Sequence, residues 1–432
     1  MRANASDRDA ASPAEGSTAG TSDDVLDRLR ILLDPLDGGW WSTTSRLERP
    51  AGAAFETALV DAVDALFRPV DDGGFWDTEN ERFIQGYRGV ERERSEGLTW
   101  LPRRGVEYRH GPLATMAALQ WRTSPFGTDA YDDRLRGQLE HCQRLATTQN
   151  HRGELAPGVL GALVDAFTRA STVLDPAWIE VATVLFERTR GRTFDHAEDG
   201  LLLAGWAALS DVTDDRDVRA AVTEGVANFE SRQQADGWPG SDDATRQFDY
   251  RSYAIWGLAR AAASIDRPAA LSVVETHLER TLVDQVRADG GVLSAPVPAG
   301  SRLGQILRGV TRKQPASWQV VRPRNQALLA TTVAAYVAAG GSCRYDRAAE
   351  AALGWVLDRS RTRLSTLDDV VTDLPLAPMT IDRKVAPPGY RRVTVGDLGA
   401  LIRAFVAGAT DVEGERRRVL VREPRGSSTR NG

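Results

Sequence analysis

The chain of 432 residues is poor in cysteine, histidine and lysine. Two cysteines, Cys142 and Cys343, are too few for a disulfide scaffold or a cysteine-based zinc site, and free thiols are expected. Five dispersed histidines show no metal-ligand spacing, so the sequence calls for no cofactor and no transition metal. Lysine stands only at 313 and 384, among abundant arginine, a compositional bias that carries no mechanism. No stretch reaches the roughly 18 uninterrupted apolar residues of a membrane span. The opening MRANASDRDAASPAEGSTAGTSDD lacks the apolar core of a secretory signal, so a cytoplasmic chain is expected. A net charge of -6 argues against a nucleic-acid partner.

What the sequence does contain is helical periodicity. Residues 1–21 read as a disordered leader and 414–432 as a flexible basic tail, leaving 22–413 as one domain with a core over about 53–408. Within it two kinds of segment alternate. One kind carries a charged stripe: AAFETALVDAVDALFRPV, DAYDDRLRGQLEHCQRLATTQ, PAWIEVATVLFERTRG, DDRDVRAAVTEGVANFESRQQ, RPAALSVVETHLERTLVDQVR and DRAAEAALGWVLDRS. The other is poor in charge on most faces: GPLATMAALQWRTS, APGVLGALVDAFTRAS, EDGLLLAGWAALSD, DYRSYAIWGLARAAA, NQALLATTVAAYVAAG and VGDLGALIRAFVAG. A helix apolar nearly all round belongs inside, and one with a charged stripe covers it.

Connections from inner to outer segments are mostly short (SPFG, VLDP, DVTD, SIDR), as in antiparallel helix hairpins. Most returns are long, over 69–110, 235–248, 288–324 and 359–393, so the long loops share one face. Glycine-containing knuckles follow the outer segments: DDGGFW at 71, NHRGEL at 150, ADGW at 235, ADGG at 288 and the more divergent FDHAEDG at 194. Such a degenerate repeat at hairpin spacing marks a repetitive architecture. The expectation is an all-α (α/α)6 toroid, with the long loops around one mouth and the N-termini of the inner helices entering it.

The alternating helices and the turns QQADGWPG and QVRADGG resemble the α/α-toroid superfamily of six-hairpin glycosidases, toroidal polysaccharide lyases and the terpenoid cyclase–prenyltransferase group. The likeness spans about residues 53–408 and implies catalytic groups at the inner-helix N-termini. The cyclase motifs Asp-X-Asp-Asp and Asp-Asp-X-X-Asp are absent; the nearest sequence, DVTDDRD at 211–217, lies in a short connection on the opposite rim. Cys142 and Cys343 are badly placed for a prenyltransferase zinc. A glycan substrate is therefore the leading reading, through glycoside hydrolysis or through proton abstraction as in a uronate lyase or epimerase. A terpenoid cyclase- or prenyltransferase-like toroid and a non-catalytic glycan- or protein-binding toroid are the alternatives.

Sugar sites need aromatic faces and carboxylates in differing environments. The catalytic candidates are Asp249, Tyr250, His110 and Asp199, each at or near the start of an inner segment. His110 reads as a general base toward a uronic acid. The substrate-binding candidates are Trp76, Trp100, Arg109, Trp238, Asp242, Arg251, Arg324 and Asn325. Arginine grips carboxylate with two parallel hydrogen bonds, so the mouth is expected to favour an anionic sugar. Each candidate has a plainer role open to it: Asp249 as a helix cap, Trp238 as loop packing, the arginines as a solvated rim.

Overall fold

The computed structural model describes residues 52–91, 98–106, 108–147, 155–192, 194, 197–231, 248–287, 290–295, 320–361, 376–380 and 390–410. The expected leader and tail lie outside the described residues. The α-helices are α1 (Gly52–Phe67), α2 (His110–Arg122), α3 (Asp132–Thr147), α4 (Pro157–Val173), α5 (Trp178–Thr189), α6 (Asp199–Thr213), α7 (Arg216–Ser231), α8 (Phe248–Ser264), α9 (Leu271–Asp284), α10 (Pro323–Ala338), α11 (Asp346–Arg361) and α12 (Val395–Ala409).

The two kinds of segment sort by burial as their charge dictates. Along α10 every residue from Pro323 to Tyr336 is buried, whereas α3 buries Leu135, Gln138, Leu139, Cys142 and Ala146, one stripe at helical spacing. The even-numbered helices form a closed inner ring: α2 packs on α4, α4 on α6, α6 on α8, α8 on α10, α10 on α12, and α12 returns to α2. Outside it, α3, α5, α7, α9 and α11 each cover the inner helix that precedes them in the chain, and α1 covers α12. The architecture is the expected (α/α)6 toroid.

Glycine sets how closely the inner helices approach. A Cβ on Gly257 of α8 would lie 1.9 Å from the carbonyl oxygen of Gly200 on α6, and one on Gly205 would lie 2.2 Å from that of Gly161 on α4. The knuckles are a second use of glycine. In both described examples the first glycine is left-handed, Gly73 at φ 81° and Gly290 at φ 83°. Each donates its N–H to the carbonyl three residues back, Val70 at 3.0 Å and Arg287 at 2.9 Å. The two turns therefore share the conformation and the hydrogen bond of that glycine as well as the sequence.

Short strands decorate the long loops. Trp76–Asp77 (β1) pairs with Arg82–Phe83 (β2), and Val320–Val321 (β5) with Met379–Thr380 (β6). A three-stranded antiparallel sheet has Gly86–Glu91 (β3) between Leu98–Arg103 (β4) and Arg392–Thr394 (β7). It ties the loop entering α2 to the loop entering α12, where the ring closes. No described helix is long and apolar enough to cross a membrane.

The glycine contacts yield a direct expectation. Gly257→Ala forces α8 away from α6 and should cost roughly 1–3 kcal/mol, the range for overpacking a filled core. Thermal denaturation checks this, and a melting temperature equal to that of the parent chain would contradict the close approach.

Candidate active site

Every inner helix except α4 brings an ionisable residue to the mouth within its first turn. Arg109 and His110 start α2, Glu198 and Asp199 start α6, Asp249 is the second residue of α8, Arg324 the second of α10 and Asp397 the third of α12. Acids suit these positions because the exposed N–H groups of a helix start favour negative charge, and a buried arginine there is opposed by the same field. Arg324 is 4% exposed, so it needs partners. Its ring neighbours supply them: Arg324 donates to Asp249 of α8, and its Nε lies 3.4 Å from Oδ1 of Asp397 on α12. Asp397 is itself fixed by a capping box with Thr394, whose backbone N–H donates to its carboxylate at 2.7 Å.

A second ion pair crosses the mouth. Arg109, just ahead of α2, is bonded to Glu198, just ahead of α6. The start of α4 lies between those helices in the ring and is uncharged, and Gly158 leaves room for the Glu198 backbone, whose carbonyl oxygen would be 2.4 Å from a Cβ there. His110 is seated by another glycine: a Cβ on Gly396 would lie 2.7 Å from its Nδ1.

These surroundings set the charge states. Burial, reinforced by the charges of Arg324, Arg109 and Arg322 and only partly opposed by Asp249, lowers the His110 pKa to about 3. The imidazole is neutral throughout the physiological range. Burial and the neighbouring Asp249 raise the Glu198 pKa above the ordinary carboxylate value, against the opposing pull of Arg109 and Arg324. Tyr253, one turn beyond Asp249, is buried and its phenol is raised by that burial. One mouth therefore holds a neutral imidazole, a carboxyl group whose pKa is raised by burial, and two ion-paired arginines.

The structure thus brings together His110, Arg109, Asp249 and Arg324 from the sequence candidates, with buried Asp199 at the start of α6. Others point elsewhere. Arg251 donates to Gln285 beyond the outer helix α9, and Asn325 donates to Ser294 at 3.1 Å. Trp76 packs edge-on against Phe83 with ring centroids 5.6 Å apart, and Trp100, 4% exposed, lies against Gly89; both are core residues. Tyr250 lies on α8 with its side chain outside the described residues, as are Trp238 and Asp242. Glu198, one of several acids that the sequence sets beside the mouth but not one of the catalytic candidates, joins the cluster, as does Asp397, which was not singled out. The signal for Asp397 was the TVGD capping box, which reads equally well as a plain helix start. Among the described residues no group of three or more His, Cys, Asp or Glu lies together as a metal-binding set.

No protein-family model and no curated protein matches the sequence. Solved structures do match in fold. The unsaturated glucuronyl hydrolase of Streptococcus agalactiae aligns with a TM-score of 0.58 at 11% identity, over 86% of this chain and 96% of its own. Cellobiose 2-epimerase from Bacillus thermoamylovorans aligns with a TM-score of 0.53 at 11% identity, over 82% of this chain and 99% of its own. An α-1,6-mannanase variant of Salegentibacter, in complex with α-1,6-mannotetrose, gives 0.52 at 12% identity, over 82% of this chain and 98% of its own. The fold is that of the six-hairpin toroids. At such identity the likeness carries the architecture, and the chemistry must be argued from the mouth.

The His110 environment has a measurable consequence. An unfolded chain binds this proton near pH 6.5 and the folded one only near 3, so the stability contributed is complete above 6.5 and is lost as pH falls toward 3. In a histidine-resolved NMR titration His110 should stay neutral from pH 8 to 5. Arg324→Met should move its titration upward and, by stranding two buried carboxylates, should cost roughly 3–5 kcal/mol. Titration of His110 near 6.5 in the parent protein would contradict the geometry.

Proposed function

We propose that the chain is a carbohydrate-active enzyme whose substrate carries an acidic sugar, and that Glu198 delivers a proton within the mouth. The observation that carries this reading is the placement of Glu198 and Asp249 in one mouth with opposed environments. Glu198 is pushed toward its protonated form, while Asp249 faces the guanidinium of Arg324. Two carboxyl groups driven apart in this way divide acid and base roles in glycoside hydrolysis. Glu198 would protonate the leaving oxygen, and Asp249 would accept a proton from the attacking water. Arg109 and Arg322 supply the positive field for an anionic ligand. The named activities of the similar folds support a sugar substrate: one is a glucuronyl hydrolase, solved also in a complex with dGlcA-GalNAc6S, and another is a 2-epimerase.

A specific observation supports a second chemistry at the same place. His110 is uncharged because it is buried and because arginines surround it, so an acidic substrate that offsets those charges would also raise its basicity. His110 would then take a proton from the carbon beside the sugar's carboxylate, as in an epimerase or lyase, with Arg109 countering the developing charge. An isoprenoid substrate would ask for a dry aromatic funnel. The described mouth is charged instead, and Trp76 and Trp100 are packed in the core.

The test is turnover of uronate-containing oligosaccharides by the parent chain and three variants. Glu198→Gln should reduce kcat roughly 10²- to 10⁴-fold with little change in melting temperature. Asp249→Asn should lose activity and stability together, because it weakens the pair with buried Arg324. Solvent deuterium appearing on the sugar carbon, and its loss in His110→Gln, would select proton abstraction, whereas its absence with release of a free sugar would select hydrolysis. Binding of such oligosaccharides without turnover, unchanged in Glu198→Gln, would leave a non-catalytic toroid.

A further inference from the structure

Beyond the mouth the inner ring closes over a second polar cluster. Arg403 belongs to α12, six residues past Asp397, about 9 Å farther along the helix. It is 6% exposed, and its guanidinium stacks on the Trp256 ring of α8 at 4.0 Å from the centroid. Helices α8 and α12 are not ring neighbours, since α10 lies between them, so this contact reaches across the interior. Asp165 of α4, likewise no ring neighbour of α12, meets the same cluster: it is 1% exposed, accepts from Arg169 at 3.1 Å and from Gln120 of α2 at 2.9 Å, and feels Arg260 of α8. Alternate inner helices α4, α8 and α12 thus bring three arginines and one aspartate together inside the ring.

Burial alone would raise the Asp165 pKa, yet Arg169 and Arg260 hold it below the ordinary value. Arg403 is left with its Nε and one terminal nitrogen making no hydrogen bond in the structure, although both are buried. Thr168, on the turn of α4 that carries Asp165 and Arg169, also has a buried hydroxyl without a partner. Burial pulls the Arg403 pKa down to about 10, the mark of a cation placed where water does not solvate it. A buried guanidinium with unmet donors is costly, and an anion within its fork relieves both the charge and the donors.

We propose that the interior of the toroid holds a small inorganic anion, bound by Arg403 against Trp256 and favoured by the charges of Arg169 and Arg260. The inference does not depend on the activity assigned to the mouth. Chloride or bromide fits the chemistry: one negative charge, accepting from several N–H donors and needing no donor of its own.

The experiment is thermal denaturation of the full chain titrated with sodium chloride or sodium bromide, with sodium gluconate keeping ionic strength constant. Free glucuronate replaces the halide in a parallel series. The parent chain should gain roughly 2–4 °C at about 10–100 times the dissociation constant, climbing with the logarithm of halide, as for a ligand bound only by the folded state. Arg403→Met keeps an unbranched side chain on Trp256 and should abolish the rise. Asp165→Asn removes the opposing charge and should make the rise set in at several-fold lower halide. A parent chain that responds no more than Arg403→Met, or an Asp165→Asn rise that sets in only at higher halide, would overturn the proposal. A rise with glucuronate but not with halide would overturn it in favour of a substrate group entering from the mouth.

Discussion

The buried guanidinium of Arg324 is the constraint around which the mouth is arranged. It sits on the middle one of three consecutive inner helices and answers to an acid from each neighbour, Asp249 on one side and Asp397 on the other. A cation at a helix N-terminus is unfavourable by itself, so those two acids are needed for folding as much as for chemistry. Its field also reaches the next groups outward. It helps hold His110 neutral, opposes the retention of a proton by Glu198, and acts on the Tyr253 phenol beneath. Stability and reactivity are therefore not separable at this position.

Much of the fold could be read from charge alone. Segments lacking a charged stripe became the inner ring, and the helix ends joined by the long connections fell on one side, because each connection returns from an outer helix to an inner one. The charged residues at inner-helix starts were legible for the same reason. In segments so poor in charge, Arg109, His110, Asp249 and Arg324 stand out. The aromatic residues were not legible. A tryptophan in a loop reads the same whether it stacks on a ligand or closes the loop over the core, and only packing separates the two, as Phe83 does for Trp76. Asp397 was hidden by the opposite effect: its capping box accounts for it completely until Arg324 is seen arriving from the neighbouring helix.

Glycine acts in two unrelated ways in this architecture. At Gly73 and Gly290 it supplies a left-handed backbone that ends one hairpin and turns the chain toward the next. At Gly161, Gly200, Gly205 and Gly257 it is the missing side chain that matters, because three consecutive inner helices meet backbone to backbone there. The narrow ring that results brings the helix starts close enough for Arg109 to reach Glu198 past the uncharged start of α4.

The seam of the ring has a consequence for biosynthesis. Helix α1 finds its cover on α12 and not on the helix that follows it in the chain, and β3 in the first long loop is completed by β7 in the last. A ribosome delivers these partners far apart, with the rest of the ring made between them. The nascent chain must carry an exposed apolar stripe on α1 and an unpaired strand edge on β3 until the rest of the ring has emerged, a non-local closure that is slow and prone to association. Hairpins such as α4–α5 or α6–α7 meet no such delay. Synthesis would thus build an open arc of paired helices, and the step that turns the arc into a ring is also the one that brings Asp397 to Arg324.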